Sequence, residues 1–183
     1  MQQGKETMIS YKILSAEDIN RSLFNSFIRR QTVVKCWRKE QGSWIIKDAP
    51  FTDDWSETDY QQLIAHLKSL LCSGGFVCGA FYQGALKGFV SVDAQWFGGY
   101  GEYLDLTNLH VSEDMRRLGI GRTLFLAAAE WAGKQGAKKL YLSAHSAVET
   151  QAFYRSVGCA EAERYSKKHA EEEPYDCQME YVL

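Results

Sequence analysis

The 183-residue sequence predicts a mixed α/β fold of the α+β type, with a mostly antiparallel central sheet of about seven strands flanked by helices. Two observations lead to this prediction. First, the strand-like and helix-like segments follow the order strand, helices, three strands, helix, strand, helix, two strands, which is not the strict alternation of a doubly wound sheet. Second, only two prolines occur and no linker or repeat interrupts the chain, so one domain over residues 1–183 is expected.

The composition limits the classes of function. The formal net charge is −2, from 21 basic and 23 acidic side chains, which predicts neither a nucleic-acid partner nor a membrane-binding face. No apolar run approaches the roughly 18–20 residues that span a bilayer, and no signal segment opens the chain. The five cysteines lack CxxC spacing and no HExxH motif occurs, so free thiols, no metal and a cytoplasmic location are expected.

The N-terminal half contains two predicted helices, over residues 15–30 and 56–75. Each opens with a serine followed three residues later by an aspartate, and each carries apolar residues four positions apart. The segment 33–55 between them has no clean period, although it carries three tryptophans and three aspartates. Residues 1–8 are mostly polar and are expected to be frayed.

The C-terminal half is predicted to mix strands and helices. Gln83 and Gly84 are typical of a short hairpin turn, and the pair Ser146 and Glu149 is typical of a helix-capping box. The predicted elements are strands 76–82, 85–96 and 102–111, helix 123–136, strand 138–145, helix 146–158, and an antiparallel pair over 161–168 and 176–183.

The stretch MRRLGIGRTLF joins a strand to a helix through two glycines, Gly119 and Gly121. Such a turn leaves backbone N–H groups unpaired at the positive end of the helix dipole, where a phosphate or pyrophosphate fits. Arg116, Arg117 and Arg122 add positive charge, although a plain capped turn with solvated arginines is an equally good interpretation at this point. The Walker pattern and the dinucleotide fingerprint are absent, so the expected ligand is a phosphate-bearing carrier other than ATP or NAD.

Two segments resemble the GNAT family of N-acetyltransferases. LHVSEDMRRLGIGRTLF is similar to the coenzyme-A-binding segment of that family, Q/R-x-x-G-x-G/A, with Arg116, Gly119 and Gly121 at the patterned positions. KKLYLSAHSAVETQAFYRSVGCAEAERY is similar to the strand and helix that follow. The resemblance covers about residues 76–183, the expected coenzyme-A-binding core, and leaves 9–75 as a variable acceptor-side region.

The resemblance implies an N-acetyltransferase that moves the acetyl group of acetyl-CoA to an amine by direct attack in a ternary complex. It also implies a sheet that splays between its fourth and fifth strands, with the pantetheine arm between them. Ala147 and Cys159 depart from the asparagine and the aromatic residue that the family often carries, and the asparagine contact to the cofactor arm is therefore in question. The residues expected to bind coenzyme A are Leu109, His110, Val111, Arg116, Arg117, Leu118, Gly119, Ile120, Gly121, Arg122 and Tyr154.

Tyr154 and Asp105 are the expected catalytic residues. Tyr154 matches the family tyrosine that serves the departing thiolate, and at about 100° per residue it lies about 150° from the centre of the apolar positions of its helix. It is therefore expected to face a ligand rather than the core. Asp105 matches the glutamate of the histone-acetylating branch and is expected to accept the amine proton through a water. The alternatives are a packing tyrosine and a hydrogen-bonded structural carboxylate.

The expected acceptor is a primary amine of a small cationic molecule. An aromatic and acidic lip formed by the tryptophans and aspartates of residues 33–55 would attract such a cation by charge and by cation–π contact. The alternative explanation is that these tryptophans lie in the core and that these aspartates are solvated. A lysine or protein N-terminus is the alternative acceptor, a non-catalytic acyl-CoA-binding or sensor module is the alternative function, and the family resemblance also allows a homodimer. The residues expected at the acceptor site are Trp37, Asp53, Asp54, Trp55, His145 and His169.

Overall fold

The computed structural model describes residues 8–98 and 101–183, so the predicted fraying of the first eight residues falls, except for Met8, outside the described part. Its elements are β1 (Ser10–Ile13), β2 (Gln31–Glu40), β3 (Ser43–Asp53), α1 (Glu57–Cys72), β4 (Phe76–Tyr82), β5 (Ala85–Val92), β6 (Tyr103–Val111), α2 (Ile120–Lys134), β7 (Lys139–Ala144), α3 (Val148–Ser156), β8 (Ala160–Glu161), α4 (Lys167–Glu172) and β9 (Cys177–Val182). Among these residues no helix is long and apolar enough to cross a membrane.

A seven-stranded sheet lies at the centre of the molecule, in the order β1-β4-β5-β6-β7-β9-β8. Neighbouring strands are antiparallel except for β6 and β7, which are parallel. This confirms the predicted mixed, mostly antiparallel sheet of seven strands flanked by helices.

The sheet opens between its fourth and fifth strands, as expected. Strands β6 and β7 pair only where Tyr103, Leu104 and Asp105 lie opposite residues 139–141. Beyond that point β6 continues to Val111 beside β5 alone, and β7 continues beside β9 alone. We call the opening between the two strands the cleft.

Each face of the sheet covers its own hydrophobic core. On one face, α2 and α3 enclose a core that includes Leu106 and Leu140 of the central strands and Leu124 of α2. On the other face, α1 and the segment before β2 enclose a second core that includes Leu67 and Phe89. Because side chains alternate along a strand, the polar residues of β6 and β7 lie on this second face, beside the cleft.

The predicted helix over residues 15–30 is wrong. The segment contains turns and a single 3-10 turn over Arg21–Phe24. The Asn20 side chain accepts a hydrogen bond from the Leu23 amide at 3.1 Å, and the Asp18 carboxylate accepts one from the Ser15 amide at 2.8 Å. Such local side-chain bonds compete with a continuous helix.

The segment 33–55 forms an antiparallel hairpin of β2 and β3 rather than irregular chain. Its turn residues Gln41 and Gly42 both have positive φ, 49° and 82°, as a two-residue hairpin turn of type I′ requires. The hairpin is joined to the segment between β7 and α3 by an isolated bridge between Cys36 and Ala147. Its position forms a wall beyond the end of β7.

Three further elements differ from the predictions. The strand predicted over 85–96 ends at Val92. The capping box at Ser146 is absent, because the Ser146 hydroxyl accepts a hydrogen bond from Arg38 Nη1 at 2.7 Å instead. The strand predicted over 161–168 is wrong for most of its length: only Glu161 belongs to a strand, residues 162–166 are irregular, and α4 begins at Lys167 after its N-cap Ser166.

Candidate active site

The turn before α2 presents free backbone N–H groups, as predicted. Gly119 is the N-cap residue with a left-handed φ of 79°, and Arg117 also has a positive φ of 63°. The first intrahelical bond runs from the Thr123 amide to the Gly119 carbonyl at 3.1 Å. The amides of Ile120, Gly121 and Arg122 therefore lack intrahelical partners and point out of the positive end of a 15-residue helix.

The two glycines of this turn are needed for different reasons. A β-carbon at Gly119 would meet nothing within 4 Å, but its φ is unfavourable for any L side chain. A β-carbon at Gly121 would lie 3.3 Å from the Phe153 ring and 3.6 Å from Val111. Gly121 thus permits the close packing of α2 on α3 and β6.

The arginines of the turn divide into two groups. The Arg116 guanidinium donates to the Val111 carbonyl at 3.2 Å and to the Arg30 carbonyl at 2.7 Å, so it ties the turn to the neighbouring chain. Arg117 is exposed, and Arg122 is exposed apart from a 3.4 Å contact with a backbone carbonyl. Arg117 and Arg122 are therefore the cations of this turn that an anionic ligand can reach. The apolar side chain of Leu118 is exposed beside them.

The open edge of β6 provides further backbone donors. The Ser112 amide donates to the Lys87 carbonyl on the β5 side at 2.8 Å. Because backbone groups alternate along a strand, the N–H groups of Leu109 and Val111 point into the cleft. The Val111 carbonyl is already occupied by Arg116, which leaves its N–H as the free group.

The His110 side chain belongs to the second core rather than to the cleft. Its ring lies 4.8 Å from the Trp55 ring and 5.4 Å from the Phe89 ring, measured between centroids. Burial, together with the nearby Arg29 and Arg116, lowers the pKa of His110 to about 3, so the ring stays neutral. A direct role of this side chain in cofactor binding is not supported.

Tyr154 is buried, contrary to the prediction from its helix. The buried face of α3 carries Gln151 and Tyr154, whereas Ala152 is exposed. Gln151 can occupy this face because its amide donates to the His145 carbonyl at 2.9 Å. The prediction from the apolar residues of α3 was wrong because the buried face includes a polar residue, Gln151, whose amide is hydrogen-bonded to the chain after β7.

The Tyr154 hydroxyl is nonetheless available to a ligand. The ring packs 5.2 Å from the Phe153 ring and 6.4 Å from the Phe125 ring. Within residues 8–98 and 101–183, the protein offers its hydroxyl no hydrogen-bond partner. Burial raises the pKa of Tyr154 well above its usual value, with smaller contributions from Cys159 and Asp176, so the phenol remains a protonated donor at neutral pH.

Asp105 and His169 form a pair at the base of the cleft. His169 Nε2 lies 2.7 Å from Asp105 Oδ2, and His169 Nδ1 lies 2.7 Å from Ser166 Oγ. The side chains are 17% exposed at His169 and 18% at Asp105. The hydrogen bond to Asp105 is the main cause of a raised pKa at His169.

A pocket of about 310 Å³ lies between the hairpin, the end of β7 and the loop before β9. Of the residues expected at the acceptor site, His145 lines this pocket. We call this space the hairpin pocket, and it is lined by Cys36, Arg38, Phe51, His145, Ser146, Glu173, Pro174, Tyr175 and Asp176.

Two carboxyl groups dominate the hairpin pocket. Burial and the adjacent Glu173 raise the pKa of Asp176 to about 8, so this carboxyl holds a proton at neutral pH. Both groups approach the Ser143 hydroxyl, at 3.4 Å for Asp176 and 3.5 Å for Glu173. Ser143 lies on β7 two residues beyond the last residue paired with β6, so the carboxyls adjoin the cleft.

Arg38 and His145 complete the polar lining of the pocket. Arg38 donates to the Trp37 carbonyl at 2.8 Å and to Ser146, and its guanidinium lies 4.8 Å from the centre of the Tyr175 ring. His145 Nδ1 accepts from the Ala147 amide at 3.1 Å. Burial lowers the pKa of His145, so the ring is neutral and its Nε2 carries the proton.

The predicted aromatic and acidic lip does not form. Trp55 packs in the second core, Asp53 is paired with Arg29, and Asp54 accepts from the Trp55 amide. Trp37 packs against the first core. These side chains are therefore engaged within the fold, two of them on the hairpin (Trp37 and Asp53) and two in the chain that follows it (Asp54 and Trp55).

The described ranges contain no candidate metal site. Among residues 8–98 and 101–183, no three His, Cys, Asp or Glu side chains group as metal ligands would. The five cysteines are unpaired, and four of them are buried.

A sheet that opens between two parallel strands, beside a turn suited to a pyrophosphate, is the arrangement expected of an acyl-CoA-dependent transferase. Residues 37–159 match the model of the Acetyltransferase (GNAT) family, and the chain belongs to this family. It is therefore an acetyltransferase that uses acetyl-CoA as co-substrate. A search of curated proteins finds no match.

Solved structures share the fold. Nourseothricin acetyltransferase superposes with a TM-score of 0.71 at 18% identity, covering 96% of this chain and 99% of that one. The PaiA N-acetyltransferase of Thermoplasma acidophilum, solved with coenzyme A, gives 0.60 at 18% identity, with coverages of 96% and 99%. An IAA acetyltransferase of Bacillus cereus gives 0.58 at 19% identity, with coverages of 96% and 100%.

Proposed function

We propose that the protein acetylates a primary amine of a small cationic molecule by direct attack of that amine on acetyl-CoA within a ternary complex. The observation that carries the proposal is the hairpin pocket, in which Glu173 and Asp176 adjoin the cleft. The chain before β4 supplies the hairpin and so serves as the acceptor side, while residues 76–183 serve as the coenzyme-A-binding core.

The charge of the pocket favours a cationic acceptor. Without ligand, the negative charge of the two carboxyl groups is neutralised by one bound proton and by the Arg38 guanidinium. A bound ammonium group can replace that proton, because it stabilises both carboxylates in their ionised form. Phe51 and Tyr175, both substantially exposed on the pocket wall, add apolar and cation–π surface. A volume of about 310 Å³ suits a small molecule.

The cleft and the turn suit the other substrate. The free amides of Ile120, Gly121 and Arg122 fit a pyrophosphate, and the cleft-facing amides of Leu109 and Val111 fit the amide groups of a pantetheine arm. In this proposal the thioester end of acetyl-CoA lies toward Tyr154 and the base of the cleft.

The reaction requires two proton-handling groups. The amine nitrogen forms a bond to the acetyl carbon, the carbon–sulfur bond breaks, and its electron pair stays on sulfur. We assign the amine proton to Asp105 and the hydrogen bond to the departing thiolate to Tyr154, whose hydroxyl is protonated and has no competing partner in the described residues. The setting that we propose is the cytoplasm, where thiols such as these five stay reduced.

The test is thiol release from acetyl-CoA with a panel of cationic, neutral and anionic amines. We expect cationic amines to give the highest kcat/KM, and Asp176→Asn with Glu173→Gln to raise KM for them about tenfold or more, as the loss of a charged contact does. Glu130→Gln, an exposed change on α2, is the matched control. Higher kcat/KM with anionic amines would overturn the acceptor class.

A second outcome separates the enzyme from a binding module. If calorimetry shows acetyl-CoA binding but no amine gives thiol release, the protein is an acyl-CoA-binding or sensor module. If a peptide lysine or N-terminus gives higher kcat/KM than every small amine, the acceptor is a protein.

A further inference from the structure

We propose that His169 is a positioning residue that orients Asp105 and sets the charge beside it, so that Asp105 accepts the amine proton only when the His169 ring is neutral. This inference rests on the proposed function. It assigns a role in proton transfer to a histidine that the sequence suggested only for acceptor binding.

Asp105 lies where strands β6 and β7 separate, at the base of the cleft. It is the last residue of β6 that pairs with β7, opposite Tyr141. Its neighbours Leu104 and Leu106 point into the first core, so the Asp105 side chain points to the other face, at the base of the cleft. This face also carries Ser143 and the hairpin pocket.

His169 holds one oxygen of this carboxylate and leaves the other. Its Nε2 lies 2.7 Å from Asp105 Oδ2. Asp105 Oδ1 makes no hydrogen bond with the residues that the structure describes, so it is the atom left for an amine or a bridging water. A carboxylate fixed at one oxygen presents the other in a defined direction, which favours proton transfer.

The ring of His169 packs against an aromatic pair. The rings of Tyr141 and Phe97 lie at centroid distances of 5.3 Å and 6.0 Å from it, and they lie 5.0 Å from each other. Its Nδ1 contacts the Ser166 hydroxyl at 2.7 Å. A carboxylate only accepts hydrogen bonds, so the contact with Asp105 places the proton of the neutral ring on Nε2, and Nδ1 accepts from the Ser166 hydroxyl.

The charges around the ring set the direction of the pH dependence. Asp105 raises the pKa of His169 above its ordinary value of 6.5, and Glu172 acts in the same direction. Burial and Lys168 act against this, and Tyr141 faces the pair as a neutral phenol, since its own pKa is raised to about 12. Below the His169 pKa the imidazolium holds Asp105 Oδ2 in an ion pair, and above that pKa the neutral ring holds it by a hydrogen bond alone.

The proton transfer is local. As the amine nitrogen bonds to the acetyl carbon, its proton moves to Asp105 Oδ1, directly or through one water, and the electron pair of the broken carbon–sulfur bond remains on the thiolate. His169 keeps its Nε2–H bond to Oδ2 throughout. Asp105 returns the proton to solvent after the products leave.

The experiment compares the pH dependence of kcat/KM for the wild type, His169→Gln and His66→Gln with one amine. His66 is an exposed histidine of α1 and serves as the control. Glutamine at 169 can still donate to Asp105 but does not titrate. We expect kcat/KM of the wild type and of His66→Gln to rise with pH above pH 6.5 as His169 loses its proton. We expect His169→Gln to lose this rise and to keep only the rise that comes from deprotonation of the amine substrate. We also expect Asp105→Asn to lower kcat about 100-fold or more with unchanged acetyl-CoA affinity.

Two further measurements keep the outcomes distinct. Thermal melting shows whether each variant is folded, and His169→Asn replaces His169→Gln if the latter is not. The His169 ring resonance should titrate above pH 6.5 in the wild type and at lower pH in Asp105→Asn. A rise of the first kind that persists in both 169 variants, or a ring titration unchanged by Asp105→Asn, overturns the inference. Absence of thiol release by the wild type with every amine overturns the proposed function instead.

Discussion

Cys36 of the hairpin lies opposite Ala147 in an antiparallel bridge, and this bridge joins the acceptor side of the molecule to the segment between β7 and α3. Both residues are fully buried, in a small cluster with Val33. The Trp37 amide reinforces the contact by donating to the Ser146 carbonyl at 2.8 Å. Ala147 is the position at which the family often carries an asparagine, and here a small side chain lets the hairpin approach.

Ala147→Asn should therefore destabilise the protein. The added amide has no space beside Cys36 and Val33, and overpacking of this kind costs about 1–3 kcal/mol. We expect a lower melting temperature and a higher KM for the amine, because the hairpin wall of the pocket is displaced. Ala127→Asn, on a partly buried position of α2, is the comparison. An Ala147→Asn protein with wild-type melting temperature and unchanged KM would contradict this account of the bridge.

The sequence predicted those parts of the fold that local signals specify. The capping box of Ser56 and Asp59 forms at the start of α1, and the Gln83–Gly84 turn has the two positive φ angles of a type I′ hairpin. The β2–β3 hairpin has the same turn signal, at Gln41 and Gly42. It was not predicted, because its two strands are largely exposed and lack a clean alternation of apolar and polar residues.

The residues of the candidate site were harder to predict, because most of them meet only in the folded chain. Phe51, His145 and Asp176 line one pocket although they are separated by 94 and 31 positions. No sequence spacing reports such a contact. The turn at Gly119 could be predicted, since its signal lies within a few residues, whereas the partner of Asp105 is 64 positions away.

Gly119→Ala should weaken binding of acetyl-CoA. Alanine is strained at the left-handed φ of 79°, by about 1–2 kcal/mol, and relief of that strain would turn the free amides away from a pyrophosphate. The matched control is Gly136→Ala, at the other end of α2, which also has a positive φ of 92° and open space around it. We expect calorimetry to show similar losses of stability in both variants but a raised Kd for acetyl-CoA only in Gly119→Ala. Equal Kd values would mean that the turn is only structural.

Binding of a cationic acceptor should release about one proton below pH 8, because the acceptor replaces the proton that Glu173 and Asp176 hold. The sign follows from the raised pKa: the pair is protonated below pH 8, a bound cation lowers that pKa, and the proton leaves. At pH 9 the pair is already ionised and the release should vanish. Calorimetry in buffers of different ionisation enthalpy measures this number, with Asp176→Asn as the variant that should release none. Proton uptake on binding would contradict the assignment.

Tyr154→Phe should lower the reaction rate without lowering stability. The hydroxyl of Tyr154 makes no hydrogen bond within the described protein, so its removal leaves no protein group unpaired, and the buried ring keeps its contacts. A thiolate that loses this donor is a poorer leaving group, and we expect kcat to fall about 100-fold, with an unchanged melting temperature and Kd for acetyl-CoA.

Tyr103→Phe is the converse control. Its hydroxyl donates to the buried Glu180 carboxylate at 2.7 Å, so its loss should lower the melting temperature and leave kcat close to that of the wild type. Because burial raises the pKa of Tyr154, the wild-type rate should also show no loss from phenol ionisation up to pH 10. A wild-type kcat in Tyr154→Phe would contradict this prediction. It would mean that solvent stabilises the departing thiolate and that Tyr154 serves only in packing.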